Sequence, residues 1–187
     1  MDKETFCEKL TRLHFILLMA ALLNFSARKV IGFSLTHELS YILNVSVYLT
    51  GIVTFFKLYF SRFRKIVIYF SFYLISMLSA LFFFMMGGIF WAVIVTITAY
   101  PVWHDAKVIN KNDLVVYEDF QGFLGSCCNY TVSEKCLIFE KRLGLIKTDG
   151  EDLNEENYSL IGVKGDALQI RDMNANEPSG YIYFEIK

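Results

Sequence analysis

Residues 66–103 are 38 consecutive positions without one charged side chain, and that run constrains everything else the chain can do. As a single helix it would be roughly 57 Å long at about 1.5 Å per residue, nearly twice the ~30 Å hydrocarbon core of a bilayer. It therefore has to fold back on itself within or beside lipid. Met85-Met86-Gly87-Gly88 is the natural reversal, because glycine adopts φ > 0 without steric cost. Trp91, Tyr100 and Trp103 close the run with the aromatic residues that favour a membrane–water interface.

Two more apolar segments come first. Residues 13–27 carry no charge apart from the titratable His14, and residues 39–56 carry none. Flanking Lys and Arg side chains lengthen both by snorkelling to the interface. Four transmembrane helices are expected, near 13–30, 39–57, 66–86 and 88–103, forming an integral membrane α-helical bundle over residues 1–103. A cleaved signal peptide is the alternative for the first, with Ser26-Ala27 as its small residues, but Asp2, Glu4 and Glu8 make a poor n-region.

Basic residues set the expected orientation. With four crossings, Lys3, Lys9, Arg12, Lys57, Arg62, Arg64, Lys65, Lys107 and Lys111 share one side, and Arg28 and Lys29 the other. The positive-inside rule then puts both termini in the cytoplasm of a multi-pass protein, with a bacterial inner membrane as the expected setting.

At His104 the composition changes. The last 84 residues hold 9 of the 18 basic and 15 of the 19 acidic residues, a local net charge of −6 within a chain of net −1. This tail is too polar for lipid and too rich in alternating Val, Ile, Leu, Tyr and Phe for a disordered tether. A small β-rich cytoplasmic domain is expected over 104–187, with strands at 114–117, 130–132, 136–139, 145–147, 159–163, 167–170 and 181–186. Turns are expected at 147–150, 164–166 and 178–180. Its core is small, so docking on the helices or on a second copy, a homo-oligomer, would help it.

The chemistry of the side chains argues against catalysis. Cys7, Cys127, Cys128 and Cys136 lie on the expected cytoplasmic side, where thiols stay reduced. Adjacent Cys127-Cys128 with the isolated His104 lacks the paired spacing of a zinc site, so neither metal nor cofactor is expected. Within the spans only His14 could move a proton, and its place near the boundary reads as interfacial. Glu151, Asp152, Glu155 and Glu156 form a run in an expected loop and read as solvated surface. No phosphate loop, Ser/His/Asp set or HExxH is present.

The helices carry small and weakly polar residues at helical spacing. Gly88, Ala92 and Thr96 recur on the fourth, Ser76 and Ala80 on the third, and Ser40, Asn44, Gly51 and Thr54 on the second. Helices in lipid associate through such close backbone approach, so these residues serve packing within the bundle or a docking face for another membrane-inserted protein. Arg62, Arg64 and Lys65 form a basic loop that would anchor on lipid head groups. A tail of net charge −6 argues against nucleic acid.

Two resemblances bear on function. Residues 130–146, Tyr-Thr-Val-Ser-Glu-Lys-Cys-Leu-Ile-Phe-Glu-Lys-Arg-Leu-Gly-Leu-Ile, resemble the hairpin of bacterial pleckstrin-homology-like domains, in which a charged turn joins two strands. Residues 158–170, with Gly165-Asp166 between short strands, look like the part that follows. The resemblance covers about 40 residues, implies a fold and no binding residues, and departs from that family where its C-terminal helix should be. The layout of four spans with both termini inside is similar to immunity proteins against pore-forming bacteriocins, on architecture alone. The expected function is a non-enzymatic inner-membrane binding protein, a self-protection factor for toxin immunity or exclusion that meets membrane lipids and a membrane-inserted toxin. The alternative is a membrane-anchored regulatory or scaffold protein whose tail binds a cytoplasmic partner or lipid.

Overall fold

The computed structural model describes residues 3–59, 64–99, 102, 105–111, 113–120, 129–148, 153, 157–165, 167–173 and 181–186. Arg62, Tyr100, Trp103, His104, Cys127, Cys128, the carboxylates Glu151, Asp152, Glu155 and Glu156, and the expected turn residues 149–150, 166 and 178–180 lie outside that set. The chain divides into two compact units. One holds most of the helical residues, and the other holds residues 27–37, 104–121 and 125–187.

The helical unit contains α1 (Lys3–Val30), α2 (His37–Tyr59), α3 (Arg64–Met86) and α4 (Ile89–Ala99). Three helices are long and apolar enough to cross a membrane, over Phe6–Val30, His37–Tyr59 and Lys65–Met86. The chain is therefore a membrane protein with three candidate spans among the described residues; the fourth expected, 88–103, lies partly outside them. At 11 residues, α4 is about 16 Å long, roughly half of a hydrocarbon core. The break before α4 falls where the glycines require it: φ is 66° at Gly87 and 98° at Gly88, and the Gly87 N–H closes α3 on the Phe83 carbonyl at 2.8 Å.

Inside this unit Val47 and Leu58 of α2 pack with Phe70 and Tyr73 of α3, and Leu17, Leu18 and Ala21 of α1 lie against them. A close approach falls at Gly51. A Cβ there would sit 2.6 Å from Cδ2 and 2.7 Å from Cγ of Tyr73, so only a hydrogen fits beneath the ring.

The β unit has two antiparallel sheets. Strands β1 (Phe33–Leu35), β5 (Phe139–Lys147), β4 (Asn129–Cys136), β3 (Leu114–Glu118) and β2 (Ala106–Lys111) form one, in the order β1-β5-β4-β3-β2. Strands β6 (Tyr158–Lys164), β7 (Ala167–Asp172) and β8 (Tyr181–Glu185) form the other. Side chains alternate across each strand, and Ile109, Val116, Tyr130, Val132 and Ile146 from the first sheet meet Leu160, Leu168 and Ile170 from the second in one core. The opposite face of the first sheet buries polar groups instead, among them Thr131, Ser133 and Glu140. The last described element is β8, not a helix.

Two strands were not foreseen, and a third was misplaced. β1 is only three residues long, and β2 interrupts its apolar pattern with Lys107 and Lys111. The apolar stretch 136–139, expected as a strand, holds the two-residue turn Leu137-Ile138 between paired Cys136 and Phe139. The turn is thus apolar rather than charged.

Gly51→Ala should lower the thermal midpoint of the detergent-solubilised chain by an amount equivalent to about 1–3 kcal/mol, the usual cost of overpacking. Gly162→Ala, where an added Cβ meets nothing within 4 Å, should be nearly silent. Equal effects at the two positions would show that the α2–α3 approach is not tight.

Candidate functional site

The chemistry of the β unit is concentrated where the segment between α1 and α2 enters its sheet. Ile31 ends α1 with an N–H bond to Ala27 at 2.9 Å, and Gly32 at φ 70° turns the chain. β1 then pairs with β5 in the register Phe33↔Lys141, Ser34↔Glu140 and Leu35↔Phe139. The pairing is fastened at both ends, by the Arg142 N–H on the Gly32 carbonyl at 2.7 Å and the Thr36 N–H on the Ile138 carbonyl at 3.0 Å. The next residue, His37, starts α2 and is delivered beside Glu140.

Glu140 is 2% exposed and would be costly to bury as an anion without donors. It has several. The Tyr117 hydroxyl donates to Oε1 at 2.7 Å, the His37 backbone N–H reaches the same oxygen at 3.4 Å, and His37 Nδ1 lies 2.6 Å from Oε2. An ionised carboxylate only accepts, so Nδ1 carries a proton. A carboxylate at a helix N-terminus also meets the positive end of the helix dipole. The imidazole stacks on Tyr117 with centroids 3.6 Å apart.

The other ring nitrogen faces two partners. His37 Nε2 is 2.9 Å from an Arg28 guanidinium nitrogen and 3.3 Å from Asp105 Oδ2, and Arg28 reaches Asp105 at 3.7 Å. It can accept from Arg28 or donate to Asp105, so a proton arriving there exchanges one partner for the other. No group of His, Cys, Asp or Glu among the described residues is arranged to hold a metal.

Burial alone would raise the Glu140 carboxyl, but hydrogen bonds from His37 and Tyr117 outweigh it and hold the group below the ordinary carboxylate range. Asp105 is likewise opposed by burial and lowered by His37, the Phe120 N–H and Arg28. Asp119 goes the other way. Its burial outweighs the Thr131 hydroxyl bonded to it at 2.7 Å, and its carboxyl is raised.

The residues singled out by spacing lie elsewhere. Ser40 accepts from Asn24 at 2.9 Å, Gly51 meets Tyr73, and Thr54 is fully buried and bonds to the Thr50 carbonyl. Asn44 is half-buried on the same helix. Ser76 is buried and bonds to the Phe72 carbonyl, and Ala80 is half-buried. Ala92 is buried with Val95, while Thr96 is half-buried and bonds to the Ala92 carbonyl. Gly88 stands before α4, exposed. Lys65 is exposed, Arg64 opens α3 with its side chain outside the described set, and Arg62 lies outside it altogether.

His14 differs from the interfacial reading. It is fully buried, with Nδ1 3.1 Å from the Thr50 hydroxyl and Nε2 3.1 Å from the Tyr69 hydroxyl. Phe70 and Tyr73 crowd its ring edgewise. Bonds to two helices satisfy both nitrogens, which is how a polar ring can be held inside such a bundle.

Sequence spacing missed Arg28, His37, Asp105, Tyr117 and Glu140, because His37 and Glu140 are 103 positions apart and no motif links them. The chain matches no family model, no curated protein and no solved structure.

Carboxylates held below their unfolded values contribute stability that is complete above the ordinary range, about pH 4–4.5, and is lost as pH falls through the depressed values. Detergent-solubilised protein followed by near-ultraviolet circular dichroism should therefore lose stability as pH drops below about 4.5, with Asp119 partly offsetting the loss. Glu140→Gln should flatten that acid limb, and Glu140→Ala should cost about 3–5 kcal/mol at neutral pH by leaving its partners unpaired in a buried site. An unchanged acid limb in Glu140→Gln would mean that Glu140 is not an ionised, bonded group in the fold.

Proposed function

We propose that the chain is a non-enzymatic, membrane-anchored regulatory or scaffold protein whose β unit binds the partner. The observation that carries this reading is that the α1–α2 segment is a strand of the β unit. A domain merely displayed on a tether needs one covalent attachment. Here both ends of β1 lead into candidate spans, so a change in spacing or tilt between α1 and α2 pulls on β1, Arg28 and His37. That arrangement suits an adaptor through which events in the membrane reach a binding domain.

The same strand bears on orientation. The segment joining α1 to α2 lies on one side of the membrane, and the β unit is on that side with it. With α1, α2 and α3 crossing, the Gly87-Gly88 turn faces that side too, and α4 leads back to the tail without crossing. The N-terminus and residues 60–63 then lie opposite. Lys3, Lys9, Arg12, Lys57, Arg62, Arg64 and Lys65, seven in all, gather on the N-terminal side, against four at Arg28, Lys29, Lys107 and Lys111. The positive-inside rule favours a cytoplasmic N-terminus and a β unit outside the cytoplasm. This reading differs from the arrangement with both termini inside that four crossings would give.

The self-protection expectation rested on the layout of four spans with both termini inside, with the polar stripe from Ser40 to Thr54 as the surface offered to a foreign helix. Ser40, Gly51 and Thr54 make contacts within the helical unit, which weakens the case for that surface.

Alkaline phosphatase fused after Lys187 in a bacterial host should be active, and the same enzyme inserted at residues 60–63 should be inactive. An inactive C-terminal fusion together with an active one at 60–63 would overturn the orientation. Matching behaviour at both sites would overturn the three-span path itself.

A further inference from the structure

The β4–β5 hairpin ends in a tip that its backbone does not favour. Leu137, first of the two loop residues, has φ 58°, a conformation in which hairpins ordinarily place Gly, Asn or Asp because an L side chain is strained there. Leu137 is also 95% exposed, and Ile138 beside it is 54% exposed. An apolar side chain that strains the turn and gains nothing from the sheet has no role in folding in water.

The surroundings of the tip say what it meets. Phe139 stacks on Phe33 of β1 at 5.0 Å between ring centroids, and both rings are exposed. Val30 and Ile31, at the end of α1, are exposed as well, so one apolar patch joins the hairpin tip to the α1–α2 segment. Its position is fixed by the Thr36 N–H on the Ile138 carbonyl, one residue before α2 begins. The tip is therefore held where the chain enters a candidate span. Lys141, paired with Phe33 and two positions after Phe139, is exposed, and a long cationic side chain of this kind can reach toward phosphate. Exposed apolar patches of this kind mark a membrane or protein contact, and continuity with the ends of α1 and α2 selects the membrane.

We propose that Leu137, Ile138, Phe139 and Phe33 insert into the bilayer leaflet that α1 leaves and α2 enters, seating the β unit on the membrane surface as a lipid-binding element. The insertion holds whichever compartment that leaflet faces, so it stands independently of the orientation proposed above.

The test places a tryptophan at the tip of the full chain. Leu137→Trp, with Trp91 and Trp103 replaced by Phe, is reconstituted into phosphatidylcholine–phosphatidylglycerol vesicles and compared with Lys164→Trp at a different hairpin. At 137, emission should be blue-shifted, quenched by lipids brominated near the head-group end of the acyl chain, and protected from iodide. At 164 it should be red-shifted and open to iodide. Iodide quenching at 137 would overturn the proposal. Protection from both quenchers would also overturn it, pointing to a protein surface or a second copy, and equal bromolipid quenching at both positions would deny the tip any special role. A spin label at Leu137→Cys, with the native cysteines replaced by Ser, gives a second reading free of the Trp replacements: collision with oxygen should exceed collision with a nickel chelate, and the reverse would count against insertion.

Discussion

A carboxylate inside a protein needs donors, and the burial of Glu140 organises much of the β unit. Its partners come from distant stretches of chain: the Tyr117 hydroxyl from β3, and the backbone and ring of His37 from the start of α2. Without β1 paired to β5, His37 would not lie beside this acid, and Glu140 would lose two of its three donors. Breaking such a buried pair costs about 3–5 kcal/mol, a large part of the 5–15 kcal/mol by which a domain is typically stable. The ionic cluster and the β1 pairing are therefore one device. Each residue of β1 is placed by backbone bonds, and the cluster at its end makes the placement specific.

That device changes what the helices can be for. A loop between two spans is often a passive connection, but this one is a structural part of a folded domain. The small and polar residues of α2 are spent on neighbours: Gly51 admits the ring of Tyr73, Ser40 accepts from Asn24, and Thr50 and Tyr69 hold His14. With these contacts made internally, we propose the helical unit as an anchor and the β unit, with the apolar tip of its hairpin, as the part that meets a partner.

The membrane character and the domain division could be read from residues 66–103 and the charge change at His104, because long apolar runs and local net charge need no tertiary information. The Gly87-Gly88 break was legible for the same reason, glycine being the residue that reverses a helix cheaply. β3, β6, β7 and β8 followed from alternating Val, Leu, Ile and Tyr. Residues 136–139 misled because their composition favours a strand while their geometry is a turn. β1 is three residues long, and its assignment depends wholly on a partner strand more than a hundred positions away. The His37–Glu140 pair was invisible for that reason, as was the place of the α1–α2 segment in the sheet.

The pairing of β1 with β5 in the intact membrane protein is the claim on which the rest stands. Leu35→Cys combined with Phe139→Cys places thiols at directly opposed positions, within reach of a disulfide in an antiparallel pair. With the native cysteines replaced by Ser and a protease site inserted at residues 121–128, the protein is oxidised in native membranes, cleaved and run without reductant. The two fragments should remain joined and separate on reduction. If they separate without reductant although both thiols react with maleimide, β1 is not a strand of this sheet, and the coupling between helices and β unit does not exist.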